Sequence, residues 1–235
     1  MGKREFPKTR LVRQSLFIVM AAVVLIQACS GGTFYPFGPS AADGMIDLGS
    51  RDFLKDGPVE LKGEWKYRMM EDDPGFASPG YDDSSWDCIK LPSYWDSKKY
   101  GADGYGWFRL RVKVNESFWK SEPAVYLQGA NTAYELYVNG KRVMEAGRAG
   151  ADATSSVPSL QPRIRYVEEP AVPGELVIAV KVSNFFHRAG GLNKPLIIGP
   201  ERRIGDDIWA RDLAVSIVLG FILMMCFYHV ILWMG

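Results

Sequence analysis

The sequence predicts an all-β domain, an antiparallel sandwich of the jelly-roll type, followed by a C-terminal transmembrane helix. Two observations support this fold class. Apolar and polar residues alternate in several segments of the middle of the chain, and the chain closes on a long apolar run without charged residues. A period of two is typical of β-strands with one face on a core, and an apolar run of about 20 residues can cross a bilayer.

Residues 1–29 are predicted to be an export segment, because five basic residues precede the apolar run 16–26. This is the layout of a secretory signal, and the run is too short for a comfortable membrane span. The ending Ile-Gln-Ala-Cys resembles a bacterial lipobox in which Cys29 would be lipidated, although Gln27 is not the usual small residue. Lipidation, plain cleavage and an uncleaved anchor remain alternatives. Residues 30–44 are expected to be a tether.

Residues 45–205 are predicted to form the exported β domain. In "FRLRVKVN" (108–115) apolar residues alternate strictly with polar ones, and the same period occurs in "VELKGEWKYR" (59–68), "YELYVNGKRV" (134–143) and "ELVIAVKVSN" (175–184). The pair Asn139-Gly140 supplies the positive φ angles of a tight hairpin. No segment between the strands has a convincing helical period. The long segment 145–163 is rich in Gly, Ala, Ser and Pro and is expected to be a functional or mobile loop.

Residues 206–235 are predicted to be a transmembrane helix. No charged residue lies between Leu213 and Met234, a length of about 33 Å at 1.5 Å per residue. Trp209 and Trp233 lie near the ends of the run, as in an aromatic belt. The chain stops at the helix end, so a fragment of a longer protein is expected. We expect the bacterial inner (cytoplasmic) membrane as the location, with the β domain in the periplasm or outside the cell.

Composition excludes several classes of function. The net charge is +1, with no long basic run after the first 13 residues, which argues against nucleic acid as a partner. The three cysteines lie far apart and only two histidines occur, so no disulfide framework, metal site or cofactor is expected. Cys88 would lie in an oxidising compartment without a partner and is expected to be buried and inert.

Three motifs carry a resemblance to a known family: "YDDSSWDCIKLPSYWD" (81–96), "GYGWFRLRV" (104–112) and "ANTAYELYVNGKRV" (130–143). They resemble the N-terminal sugar-binding jelly roll, a galactose-binding-like fold, of glycoside hydrolase family two. That domain has a D-D-S-x-W turn, an L-P-x-x-W segment, a G-W-[YF]-R strand and an [LV]-x-V-N-G hairpin.

A closer resemblance is to the extracellular domain of bacterial seven-transmembrane receptors with diverse intracellular signalling modules. Those domains begin with a pattern like "IDLGSRDFLKDGPVELKGEWKYR" (46–68) and close with one like "VSNFFHRAGGLNKPLIIG" (182–199) before the first membrane helix. This resemblance covers roughly residues 45–235. The chain departs from it in having only the first of seven helices and no signalling domain.

The resemblance implies a non-catalytic, ligand-sensing domain of a membrane receptor. Its ligand would be a carbohydrate or related small molecule, and its partners would be the missing membrane helices and cytoplasmic domain. In the hydrolase family the catalytic carboxylates lie in a later barrel domain, and a membrane helix takes that place here, so no enzyme activity is expected. Two alternatives remain. One is a membrane-anchored carbohydrate-binding module or truncated family-two-like protein, and the other is a scaffold lipoprotein without a ligand.

A sugar site needs an aromatic face and planar hydrogen-bonding groups. By motif position, the candidates are Trp107, Arg109, Asn131, Glu135, Asn184, His187 and Arg188. The structural alternatives are that Trp107 caps a core, that Arg109 pairs with Glu135, and that Asn131 holds a turn.

The loop "NFFHRAGG" (184–191) is expected to be a structural closure first. Its glycine pair permits a tight reversal, and Asn184 and His187 can bond backbone groups that the sheet leaves unpaired. His187 is therefore expected to brace the loop, with Arg188 pointing outward.

Overall fold

Two β-sheets, mostly antiparallel, build the middle of the chain, and one long apolar helix follows them. The computed structural model describes residues 35, 38–95, 97–159, 161–168 and 174–234. The predicted export segment with Cys29 lies outside the described residues. The chain divides into a β domain, Tyr35–Ile204, and a second unit whose described part runs from Gly205.

The large sheet consists of β1 (Met45–Asp47), β3 (Gly63–Met69), β4 (Asp87–Leu91), β5 (Gly104–Lys113), β7 (Ala133–Val138), β8 (Lys141–Ala146) and β10 (Glu175–Asn184). Its strand order is β4-β3-β5-β10-β7-β8, and the short strand β1 pairs in parallel with the end of β5. The small sheet consists of β2 (Val59–Leu61), β6 (Pro123–Leu127), β9 (Arg163–Tyr166) and β11 (Leu196–Pro200). It is antiparallel, in the order β2-β11-β6-β9.

One apolar core takes side chains from both sheets. Phe108, Leu110 and Val112 of β5 are completely buried in it, as the alternation predicts, and β2, β6 and β11 contribute from the small sheet. The alternation nevertheless understates burial, because β10 is buried on both faces along nearly its whole length. A second apolar cluster explains this. It lies on the outer face of the large sheet, the face turned away from the main core, and is built around Phe76, Trp86 and Trp107.

The segment 59–68 forms two strands in different sheets rather than one. The crossing point is Gly63, whose φ of 114° suits glycine, and a Cβ there would overlap backbone atoms of Ala41. Ala41 bonds on both sides of this point, to Lys62 O (2.8 Å) and from Glu64 N (2.9 Å). The period runs on unbroken because β2 and β3 both direct their apolar side chains into the same core. Periodicity therefore could not reveal the change of sheet.

The predicted hairpin is confirmed. Asn139 and Gly140 have φ angles of 49° and 82° and join β7 to β8, with a bulge after Leu136. The long segment after β8 is a defined turn, in which Arg148 and Val157 exchange backbone hydrogen bonds of 2.9 and 3.0 Å. Asp152 accepts three hydrogen bonds within it, from the backbone of Thr154 and Ser155 and from the Thr154 hydroxyl.

Several short helices connect the strands, each too short to show a helical period in the sequence. They are α1 (Phe53–Asp56), α2 (Ser97–Tyr100), α3 (Glu116–Lys120) and a 3₁₀ turn at Pro74–Ala77. The last helix, α4 (Glu201–Met234), begins five residues before the predicted span. Its stretch Glu201–Ile231 is long and apolar enough to cross a membrane.

The expectation that Cys88 is buried is wrong. Cys88 lies opposite Lys66 on strand β4, at one end of the order of the large sheet, and its side chain is exposed. Its thiol donates a hydrogen bond to Asp43 (3.4 Å). Partial burial of the sulfur, followed by this hydrogen bond, raises the pKa of the thiol.

Candidate functional site

The seven predicted site residues fall into two groups. Trp107, Arg109 and Glu135 belong to the outer face of the large sheet, where the register places Trp107 and Glu135 on either side of Lys181. Asn131, Asn184, His187 and Arg188 lie instead where loops meet at the ends of the strands.

Arg109 is completely buried, and its hydrogen bonds attach the segment 76–83, which follows β3, to the large sheet. Its Nε donates to Asp83 (2.6 Å), and its terminal nitrogens donate to the carbonyls of Phe76 (2.8 Å) and Ser78 (2.8 Å). Burial lowers the pKa of Arg109, while the bond to Asp83 opposes this. The D-D-S-x-W turn and the G-W-F-R strand are thus one structural unit, joined through this ion pair. The alternative in which Arg109 pairs with Glu135 is wrong.

Trp107 is also covered, with 2% of its surface exposed. Its Nε1 donates to Asp72 (3.2 Å), whose other oxygen pairs with Lys181 (2.7 Å). Its ring packs against Phe76 and Tyr137, with centroid distances of 5.8 and 5.5 Å. No face of this ring is open for a sugar to stack on.

Glu135 accepts a hydrogen bond from the hydroxyl of Tyr137 (2.6 Å) and lies 3.9 Å from Arg142. Burial, and then the Glu135 carboxylate, raise the pKa of Tyr137. The outer face of the large sheet is therefore occupied by the chain's own side chains at all three predicted positions.

The second group lies at a meeting of four loops, residues 91–95, 101–102, 129–132 and 184–193, which we call the loop junction. Backbone hydrogen bonds join three of these loops, and side-chain bonds from Trp95 and Asn184 attach the loop 101–102. Ser93 N donates to Leu192 O (3.0 Å), Trp95 N to Gly190 O (3.0 Å) and Asn131 N to Gly191 O (3.2 Å). The junction is consequently fixed by main-chain contacts, which would hold side chains on it in place.

Asn184 is fully buried at the centre of the junction. Its amide nitrogen donates to the carbonyls of Ala102 (2.8 Å) and His187 (2.6 Å), and its oxygen accepts from His187 N (3.0 Å). The amide thus satisfies three backbone groups in a sharp reversal, which confirms the bracing expected of Asn184.

Asn131 and the His187 ring make a second set of hydrogen bonds in the same loop, nearer to the surface. The amide nitrogen of Asn131 lies 3.1 Å from His187 Nδ1 and donates to Ala189 O (3.1 Å), and Ala189 N donates to the same Nδ1 (3.3 Å). Ala189 O is itself 3.0 Å from Nδ1. These contacts fix the orientation of the imidazole ring. The ring of His187 is exposed, so its Nε2 can form a hydrogen bond with a ligand.

The glycine pair is required by close packing and by backbone conformation. A Cβ at Gly190 would overlap the buried ring of Trp95, and Gly191 has a φ of 138° that favours glycine. Trp95 is itself anchored by a hydrogen bond from its Nε1 to Gly101 O (3.1 Å).

Two exposed aromatic rings lie on the junction: Tyr94 with 48% and Phe186 with 57% of their surfaces open. The hydroxyl of Tyr94 accepts a hydrogen bond from Asn193 (3.1 Å). His187 and Arg188 are exposed beside Phe186. Motif positions did not identify either ring. The available signal was a phenylalanine in a polar, glycine-rich loop, outside any strand alternation.

The junction joins open aromatic rings to exposed hydrogen-bonding groups, the two components of a saccharide site. Among the residues that the structure describes, no group of three or more His, Cys, Asp or Glu side chains could hold a metal ion.

No family model matches the chain. The chain shows distant similarity to domains of glycoside hydrolase family two, the class that includes β-galactosidases and β-glucuronidases.

A β-galactosidase of Priestia megaterium is 26% identical over a match covering 52% of this chain and 14% of that protein. A β-galactosidase of Arthrobacter sp. (strain B7) is also 26% identical, over 36% of this chain and 12% of that protein. The chain therefore spans only a small part of the length of these relatives. The structure of a Bacteroides uniformis β-glucuronidase is similar over 60% of this chain and 17% of its own, with 21% identity and a TM-score of 0.48.

Proposed function

We propose that the β domain is a carbohydrate-binding jelly roll of the glycoside hydrolase family two type, that it is anchored to a membrane by α4, and that it binds sugar at the loop junction. The observation that carries the proposal is the pair of exposed rings, Tyr94 and Phe186, on loops fixed by main-chain hydrogen bonds. The sequence similarity to β-galactosidases supports it. The same sequence similarity favours a carbohydrate-binding module over a membrane receptor.

Two kinds of contact would bind a sugar at this site: stacking on the aromatic rings and hydrogen bonds to the sugar hydroxyls. The apolar C–H face of a pyranose packs on an aromatic ring, and burial of that face contributes about 25 cal/mol per Å². Tyr94 and Phe186 offer such faces, and His187 Nε2 can form a hydrogen bond with a sugar hydroxyl, which both donates and accepts. Because Asn131 and Asn184 hold the histidine backbone and ring, little side-chain freedom remains to be lost on binding.

We also propose that this domain binds without hydrolysing. Glycoside hydrolysis ordinarily needs two carboxylates on either side of the scissile bond, whereas the four loops that define the junction hold no Asp or Glu. The described carboxylate closest in sequence is Asp103. The purified chain is expected to turn over neither chromogenic β-galactosides nor β-glucuronides. Turnover that disappears in Asp103→Asn would contradict this part of the proposal.

The binding site can be tested with three matched alanine variants of the full chain in detergent micelles. Titration calorimetry with a panel of β-linked galactosides and glucuronides should show binding that Tyr94→Ala and Phe186→Ala each weaken by about tenfold, the equivalent of one stacked ring. Tyr166→Ala is the control, because Tyr166 is a similarly exposed ring (61%) on strand β9. Binding that is lost only in the Tyr166 variant, or retained in all three, would refute the location.

A further inference from the structure

We propose that the saccharide bound at the loop junction is acidic, and that Arg188 and Lys194 hold its anionic group, either a uronate carboxylate or a sulfate ester. This inference rests on the proposed function and specifies its ligand. The shared chemistry is an oxyanion attached to a sugar ring.

The first observation is that Arg188 has no hydrogen-bond or ion-pair partner among the described residues. Each of the other arginines described in the strands and loops of the β domain makes a hydrogen bond or an ion pair. They are Arg51, Arg68, Arg109, Arg111, Arg142, Arg148, Arg163 and Arg165. Arg188 is exposed and makes neither with any described residue. Lys194 is likewise exposed and unpaired within the described part of the chain. Both cations are therefore free to meet a ligand.

The second observation is that one cation accompanies each open ring. Arg188 follows Phe186 by two residues, and its neighbours His187 and Ala189 are fixed by Asn184 and Asn131. Lys194 follows Asn193, whose amide is bonded to the hydroxyl of Tyr94 (3.1 Å). A sugar stacked on either ring would thus carry its substituents toward a cation.

The third observation concerns compensation of charge. The four loops of the junction hold no Asp or Glu, and the acids next to them in sequence are Asp96 and Asp103. Asp87, on strand β4, already lies 3.4 Å from both Lys99 and the hydroxyl of Tyr100. Arg188 is the only Arg, Lys, Asp or Glu within the four loops, so the loops themselves carry a single positive charge. A guanidinium presents paired donors that match a carboxylate or sulfate, which gives Arg188 the leading role.

The test compares matched probes on the full chain in detergent micelles at low and high salt. The probes are a β-linked glucuronate disaccharide, its carboxyl-reduced counterpart, a galactose-6-sulfate disaccharide and its desulfated counterpart. We expect at least one acidic probe to bind about tenfold more tightly than its neutral partner at low salt. The preference should shrink as ionic strength rises. The preferred probe distinguishes a carboxylate from a sulfate.

Arg188→Gln should abolish most of this preference without changing the affinity for the neutral probes, and Lys194→Gln should reduce it. Lys90→Gln is the control for net charge, because Lys90 is an exposed lysine on β4 without a described partner. Equal affinity for acidic and neutral probes, or equal losses in Lys90→Gln and Arg188→Gln, would overturn the inference and leave the proposed function standing. Absence of any saccharide binding would overturn both.

Discussion

At the scale of single residues, Arg109 shows how a polar position in an alternating strand can become a structural centre. The alternation correctly placed its side chain on the face opposite Phe108, but it could not show that residues 72–86 fold back over that face. The burial of a guanidinium is tolerable only because Asp83 and several carbonyls accept its hydrogen bonds.

Replacement of Arg109 by methionine should therefore lower the free energy of unfolding by about 3–5 kcal/mol, because Asp83 and the carbonyls would be left without their donor. Arg111→Met is the matched control. Arg111 lies 3.7 Å from the same Asp83, but its side chain is 26% exposed, so a loss of about 1 kcal/mol or less is expected. Urea unfolding measures both variants. Equal losses of unfolding free energy would show that the buried Arg109–Asp83 pair contributes no more to stability than the partly exposed Arg111.

Gly190 provides a second test at this scale. Gly190→Ala forces a methyl group into the ring of Trp95, so a loss of about 1–3 kcal/mol and weaker saccharide binding are expected. Gly80→Ala is the control, since nothing lies within 4 Å of a Cβ there. The same urea experiment compares the two. An unchanged Gly190→Ala variant would mean that the junction is looser than its packing indicates.

Local chemistry explains which parts of the junction were predictable. Asn184 and His187 bond to backbone groups within a few residues of themselves, so their bracing role could be inferred from the loop sequence. The packing of Trp95 on Gly190 and the bond between Asn193 and Tyr94 join distant parts of the chain. Only the folded arrangement of the strands brings those parts together.

At the scale of elements, periodicity identified the strands but not their sheets. Strand β5 and the β7–β8 hairpin follow directly from alternation and the Asn-Gly pair, because both signals are local. The division of 59–68 into β2 and β3 depends on Ala41, which pairs beside Gly63 from an earlier segment. Long-range pairing of this kind leaves no periodic trace in a single sequence.

The turn after β8 should respond to acid through Asp152. The side-chain bond from Thr154, followed by the bonds from Ser155, lowers the pKa of this carboxylate from 3.8 to about 2. A lowered pKa in the folded state means that the ionised form stabilises the turn above about pH 3.8, and that this contribution is lost as the pH falls toward 2. A carboxyl titration by NMR should give a midpoint near 2, which Thr154→Val should raise. A wild-type midpoint near 3.8 would show that the hydrogen bonds from Thr154 and Ser155 do not stabilise the ionised form of Asp152.

At the scale of the whole molecule, the chain combines a β domain with a helix of different surface chemistry. Side chains of the β domain fill a shared core, whereas α4 leaves large apolar side chains open, such as Phe221, Leu223 and Phe227. Open apolar surface on this scale is costly in water and favourable in hydrocarbon. The proposed membrane anchor accounts for this contrast.

The two described cysteines allow two expectations to be tested in intact cells: that α4 lies in the bilayer and that the β domain lies outside the cytoplasm. Cys88 is exposed on the β domain and Cys226 is exposed on the apolar part of α4. With Cys29→Ser as background, a membrane-impermeant maleimide should label a chain that retains only Cys88. It should leave a chain that retains only Cys226 unlabelled until detergent is added, because hydrocarbon excludes the reagent and disfavours the thiolate. Since the pKa of the Cys88 thiol is raised by partial burial, labelling should accelerate between pH 7.5 and about 9. Labelling of Cys226 at the rate of Cys88 would show that α4 lies outside the bilayer. Labelling of Cys88 only after lysis would place the β domain in the cytoplasm.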